Sequence, residues 1–197
     1  MTLPIAYLAP TDWYRAYLIC PEQVEIEGLE SFEKQTCRNR CIIGSTNAES
    51  TKYKEITLTV PVKKVEHKQY TRDMEISYQT RWQHQHWISL VSAYKHTPFF
   101  DYYAEFFKPW YEKETKFLWD LNTGLHEVIC SLLANQRPAT PDSTQTAALT
   151  AYRPNRYKPT SDWRNEELNR YFGDGKSVLD LLFEYGPSTI ERIKTNF

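Results

Sequence analysis

Lys34-Gln35-Thr36-Cys37-Arg38-Asn39-Arg40-Cys41-Ile42-Ile43 sets three cations and an asparagine close together, then runs straight into apolar sequence. In an extended chain, side chains alternate between two faces. Lys34, Thr36, Arg38 and Arg40 would then share one face, and Cys37, Asn39, Cys41 and Ile43 the other. The pattern predicts a strand with small apolar groups inward and a ridge of cations outward. Guanidiniums two residues apart repel unless an anion, a carboxylate or water lies between them. Their planar forks suit carboxylate or phosphate oxygens. An exposed basic strand that guards a sheet edge has the same spacing. Either way the stretch is a strand.

The sequence before it supplies more β signal. Leu3 to Leu8 is a short apolar run ending at Pro10, which reads as a buried strand. Thr11 or Asp12 can cap a helix through Leu18, stopped by Pro21. Val24 to Ile26 reads as a second strand. After the basic stretch, residues 44–55 look like a hairpin loop. Ile56 to Val62 alternates cleanly and reads as a strand whose end, at Pro61, lies at an edge or bulge. Met74 to Ser77 fits a short strand.

A helical half follows. Trp87, Leu90, Val91 and Tyr94 recur at helical spacing in a helix from Trp82 that ends before Pro98. Phe99 to Phe107 reads as an aromatic helix, with Pro109 in the first turn of a further segment. Leu121, Leu125, Val128, Ile129, Leu132 and Leu133 form one stripe, with Asp120 as the candidate N-cap. Ser177 and Asp180 resemble a capping box for a helix closed by Gly186-Pro187.

The expected fold is α/β. A mixed sheet of about four to six strands from the N-terminal half packs with helices mostly from residues 82–133 and a C-terminal helix. The expected organisation is a single domain over 1–197, with a long connecting segment at 137–162 and a C-terminal helical extension at 163–197.

Charge narrows the function. The 24 basic and 25 acidic residues give a net charge of -1, which argues against a general nucleic-acid or anionic-membrane binder. An anion site must be local. Cys20, Cys37, Cys41 and Cys130 are too few and too irregular for a disulfide scaffold, so they read as free thiols in a reducing cytoplasm. No zinc-spaced partner pair answers Cys37 and Cys41. No apolar run reaches the roughly 20 residues of a membrane span, and the N-terminus lacks a signal-peptide pattern. A cytoplasmic location is expected.

Few residues stand out for chemistry. His84 and His86 lie two apart on a helix, so they point in different directions and make a poor chelating pair. No metal site is expected. His86 suits a general acid or base, or equally a partly buried ring stacked on Trp82 one turn earlier. Cys37 next to cations could be an activated nucleophile, but the alternation turns it away from Arg38 and Arg40. Phosphate-binding glycine loops, dinucleotide fingerprints and nucleophile elbows are absent from the sequence, and no cofactor is implied.

Taken in order, Leu3 to Pro10, Lys34 to Arg40, Leu58 to Val62, Trp82 to Trp87, Ser92 to Tyr94 and Thr97 to Phe100 resemble the WbqC-like family. Ser177 to Pro187 resembles its tail. The ordered set carries the resemblance; no block is specific alone. Ala9 stands where a proline is usual, and Trp13 where a tyrosine is. The resemblance implies a bacterial protein of O-antigen or other surface-polysaccharide synthesis. It implies transfer of glycine or another acyl group to a nucleotide-linked amino sugar. Tyr7, Pro10, Lys34, Asn39, Arg40, Trp82, His86, Tyr94 and Pro98 match its motifs. His86 is then the candidate catalytic base. Tyr7, Pro10, Lys34, Arg38, Asn39, Arg40, Trp82 and Tyr94 are the candidate substrate-binding residues, and the partner is a nucleotide-linked sugar or another anionic small molecule. The alternative is a non-catalytic protein that binds the same precursor or a partner enzyme.

Overall fold

The computed structural model describes residues 2–19, 24–45, 54–64, 67–135 and 175–195. The expected connecting segment at 137–162, the start of the C-terminal extension, and Cys20 lie outside the described residues. Strand β1 (Thr2–Pro4) leads to helix α1 (Thr11–Ile19) and strand β2 (Glu25–Glu27). Strands β3 (Arg40–Ser45) and β4 (Lys54–Thr59) follow. Helices α2 (Trp82–Tyr94), α3 (Phe100–Glu112) and α4 (Leu118–Leu133) form the helical half. Beyond residue 174 come α5 (Leu179–Tyr185) and α6 (Thr189–Thr195).

The strands do not make the expected single sheet. β1 pairs in parallel with β2, and β3 pairs antiparallel with β4. These are two separate two-stranded sheets among the described residues. The apolar run Leu3–Leu8 stays extended only to Pro4, because Leu8 takes a left-handed backbone (φ 43°). That conformation is costly for a side chain with a Cβ. It turns the chain so that Tyr7, fully buried, points inward and its backbone N–H donates to the Cys37 carbonyl at 2.8 Å. Met74–Ser77 makes only isolated bridges, Val62 with Ile76 and Glu75 with Phe117.

A two-stranded sheet needs a cover to be stable, and the helices supply it. α2 packs on β3 and α3, and α4 packs on α3. Phe183 of α5 completes an aromatic cluster with Tyr94, Phe100 and Phe107. The helix expected to stop before Pro109 instead runs through it to Glu112. An internal proline costs a helix roughly 3 kcal/mol. Here it lies near the last turn, and continuing the helix buries Trp110 and Tyr111. Asp120 is not an N-cap; α4 starts at Leu118 and Asp120 is buried in its first turn.

Candidate functional site

The basic stretch divides at Arg40. Residues 34–39 are turn and bend, and only from Arg40 does the chain become a strand. The expected outward ridge of Lys34, Arg38 and Arg40 therefore does not form. Asn39 and Arg40 donate backbone N–H groups back to the Thr36 carbonyl, and this tight turn folds Arg38 inward. Arg38 is 4% exposed. Its Nε and Nη2 each lie 2.5 Å from a Glu30 carboxylate oxygen. Such a bidentate pair uses up the fork. Asn39, also buried, donates its amide to the Val60 carbonyl at 3.0 Å. Asn122 of α4 donates to the Arg38 carbonyl at 2.7 Å. Lys34 stays exposed in the turn, away from the strand that carries Arg40.

Arg40 differs from its neighbour. Its Nε is buried with no hydrogen-bond partner, and the described residues offer its guanidinium no ion pair. It stands opposite Thr59 in the β3–β4 register. The Thr59 backbone in turn lies beside the His86 ring and opposes part of the effect of its burial. One cross-strand step thus joins the half-buried cation to the imidazole.

His86 is 5% exposed and lies one turn into α2. Its ring meets the Trp82 indole edge-on, with centroids 5.1 Å apart. Nδ1 lies 2.9 Å from the Tyr7 hydroxyl, which lies 2.9 Å from the Tyr111 hydroxyl. Burial pulls the ring down to about 4, with the nearby Thr59 backbone opposing the shift. Nδ1 and the Tyr7 hydroxyl share one hydrogen bond, and the ring's tautomer sets which of them donates. Burial, with the neighbouring Tyr111, raises the Tyr7 phenol well above its ordinary value.

The other expected residues serve packing and closure. The Pro10 carbonyl accepts from Trp13 and Tyr14 at the start of α1, and Pro10 bridges Ser177. Trp13 donates its indole N–H to the Pro4 carbonyl at 2.8 Å. The Tyr94 hydroxyl donates to Asp180. Asp180 also accepts the Gly44 N–H at 3.1 Å, so it reaches across to β3 and α2 instead of closing a capping box. Ser177 accepts the Leu179 N–H at 3.3 Å, but the N-cap of α5 is Val178, which makes no side-chain cap bond.

Cys37, Cys41 and Cys130 are free thiols. Burial raises Cys37 to about 11 despite the nearby Arg38, which opposes the nucleophile reading. Among the described residues, no three His, Cys, Asp or Glu side chains gather as a metal site. His84 and His86 part as the helix requires, one exposed and one buried.

Outside this buried chain lies a cleft of about 390 Å³ between the start of α2 and the end of α3. Tyr78, Thr80, Arg81, Gln83, His84, Tyr111 and Glu114 line it. Tyr111 belongs both to the cleft and to the Tyr7–His86 chain. Sequence reading missed it because Pro109 seemed to end the helix. Continued at helical spacing, Phe100, Ala104, Phe107 and Tyr111 fall on one face.

The sequence model of the WbqC-like protein family matches residues 26–151. The chain belongs to the WbqC-like protein family. No curated protein and no solved structure matches it. The WbqC-like region holds Arg38, Arg40, His86, Tyr94, Tyr111 and the whole cleft. Tyr7, Pro10 and Asp180 reach the same core from outside that region. No helix among the described residues is long and apolar enough to cross a membrane.

Proposed function

We propose that this protein is a cytoplasmic transferase of surface-polysaccharide (O-antigen) synthesis, acting on a nucleotide-linked amino sugar and placing glycine or another acyl group on its amine. One juxtaposition carries the reading. Arg40, a cation with no carboxylate partner among the described residues, sits one cross-strand step from His86, a buried neutral imidazole. Arg40 would take the diphosphate, for which its fork is suited. An ammonium must lose a proton before its nitrogen attacks a carbonyl. A neutral ring with Nδ1 turned to a hydroxyl can receive that proton through Tyr7. Membership in the family supports the same reaction class, since the resemblance of the motifs implies it.

A second reading is a non-catalytic binder of the same precursor. It is favoured by one observation: His86 is deeply buried, packed edge-on against Trp82 and hydrogen-bonded to Tyr7, as a purely structural ring would be.

Titration calorimetry with nucleoside-diphosphate sugars separates the parts. Arg40→Ala should abolish binding with Tm nearly unchanged, and Arg40→Lys should restore only part of it, because lysine lacks the fork. His86→Gln should lower turnover by about 10²–10⁴ with affinity little altered. Binding intact in Arg40→Ala would remove Arg40 from the site. Binding without product formation by the parent protein would favour the binding-protein reading.

A further inference from the structure

Helix α2 has two unlike sides. Trp82, His86, Leu90, Ala93 and Tyr94 are buried and fix its inner side. At 100° per residue, His84, Gln85, Ile88, Ser92 and Lys95 make the opposite stripe, and all five are exposed. Ile88 stands at the middle of that stripe and is 52% exposed. The other large exposed hydrophobics among the described residues are Tyr70 and Tyr102, whose hydroxyls suit water. Ile88 has no such group.

The helix also lacks charge. From Trp82 to Tyr94 it holds no Asp, Glu, Lys or Arg, whereas every other described α-helix carries at least two. A helix face turned to water is normally charged. Loss of charge around an apolar centre marks the core of an interface. Beside Ile88 stand the Gln85 amide and the Ser92 hydroxyl, which can each donate and accept. Such groups can bond to their own copies. A two-fold interface sets one patch against itself, so a stripe of lysines or glutamates would meet its own sign. This stripe does not. A membrane-surface helix would instead carry Lys and Arg beside a broad apolar face.

We infer that the outer stripe of α2 is the contact between two copies of this chain, packed antiparallel about a two-fold axis at Ile88. Antiparallel packing lets the two helix dipoles attract. It sets Ile88 against Ile88, and His84 against the second copy's Ser92. Arg81 and His84 also line the cleft at the start of α2, so the second copy borders the cleft mouth. The same alignment brings Arg81 towards the second copy's Lys95, a like-charge contact at each end of the stripe. A helix of 13 residues is about 20 Å long. One such pair covers less than the roughly 800 Å² per partner of a standard interface. The dimer is therefore a weak one. The inference does not rest on the transferase reading.

Sedimentation velocity on the full chain, from about 1 to 500 μM, spans association of that strength. The sedimentation coefficient should rise with concentration towards that of a dimer. Ile88→Glu sets two carboxylates against each other at the axis and should weaken association about a hundredfold or more. Its Tm should not change, since half of Ile88 already faces water. Lys95→Glu turns both end contacts from repulsive to attractive and should tighten the dimer several-fold, an effect that high salt removes. A parent chain that stays monomeric throughout overturns the inference. So does a dimer that Ile88→Glu leaves intact, which would place the contact elsewhere. A monomer that co-sediments with phosphatidylglycerol vesicles through Ile88 overturns it in favour of a lipid surface. A dimer that Lys95→Glu fails to tighten overturns the antiparallel alignment.

Discussion

One buried and one part-buried imidazole make this protein sensitive to mild acid. His86 is held between Trp82 and Tyr7, and His126 is ringed by Trp13, Tyr14 and Tyr17. Burial pulls each down to about 4, against an ordinary value near 6.5 in the unfolded chain. The unfolded chain then binds protons that the folded one refuses as pH falls below that ordinary value. Stability is full above it, declines towards pH 4, and levels off below. By pH 5 each ring should cost about 2 kcal/mol, at roughly 1.4 kcal/mol per pH unit. Urea midpoints measured from pH 7.5 to 5 should fall accordingly, and His126→Gln should remove about half of the slope. A flat profile over that range would mean that the rings protonate without resistance. Arg38 and Arg40 show the same dependence on surroundings. Two residues apart, one is tied to Glu30 and the other has a buried Nε with no partner among the described residues.

The helices meet closely because of one glycine. The Trp110 ring of α3 fills the space beside Gly124 of α4, with ring carbons 1.8 and 2.2 Å from where a Cβ would stand. Gly124→Ala must push the indole or the helix aside, and overpacking of this kind costs typically 1–3 kcal/mol or more. Thermal melts should show that loss, and Trp110→Leu in the same chain should recover part of it. Equal melts for parent and Gly124→Ala would show that the two helices separate freely. The sequence made α2 legible to the residue, because its apolar spacing and Pro98 agree. It hid the continuation of α3, since the burial of Trp110 and Tyr111 overrides the local cost of Pro109. It also hid the end of β1. Nothing in Leu3–Leu8 marks Leu8 for the left-handed backbone it takes beside the buried Tyr7. His86, Tyr7 and Trp82 were legible as a set through the family motifs. Tyr111, Glu114 and the cleft were not, because their meeting depends on where α3 ends.

At the scale of the whole molecule, the C-terminal segment is what locks β3 to the helices. Ser177 donates its backbone N–H to the Ile42 carbonyl at 2.8 Å, and Val178 donates to the Ala9 carbonyl at 3.0 Å. Asp180 then ties Gly44 of β3 to Tyr94 of α2. Gly186 lets the chain turn out of α5. Its positive φ of 53° suits glycine, and the Phe99 ring lies within 2.4 Å of a would-be Cβ. Arg15 of α1 donates to the Ile193 carbonyl at 3.0 Å and secures α6. The segment thus touches the start, the middle and the end of the fold, and Asp180 is its polar centre. Asp180→Ala leaves a backbone N–H and a tyrosine hydroxyl without their acceptor, a loss of roughly 3 kcal/mol for hydrogen bonds to a charged group. Tyr94→Phe removes the tyrosine bond and keeps the Gly44 bond, and should cost less. Hydrogen exchange locates the damage. In Asp180→Ala the amides of α5 and α6 should exchange much faster while those of α4 keep nearly their parental protection, because the segment can open as a unit of its own. Equal acceleration throughout would show instead that residues 175–195 unfold only together with the core, and that Asp180 stabilises the molecule as one cooperative body.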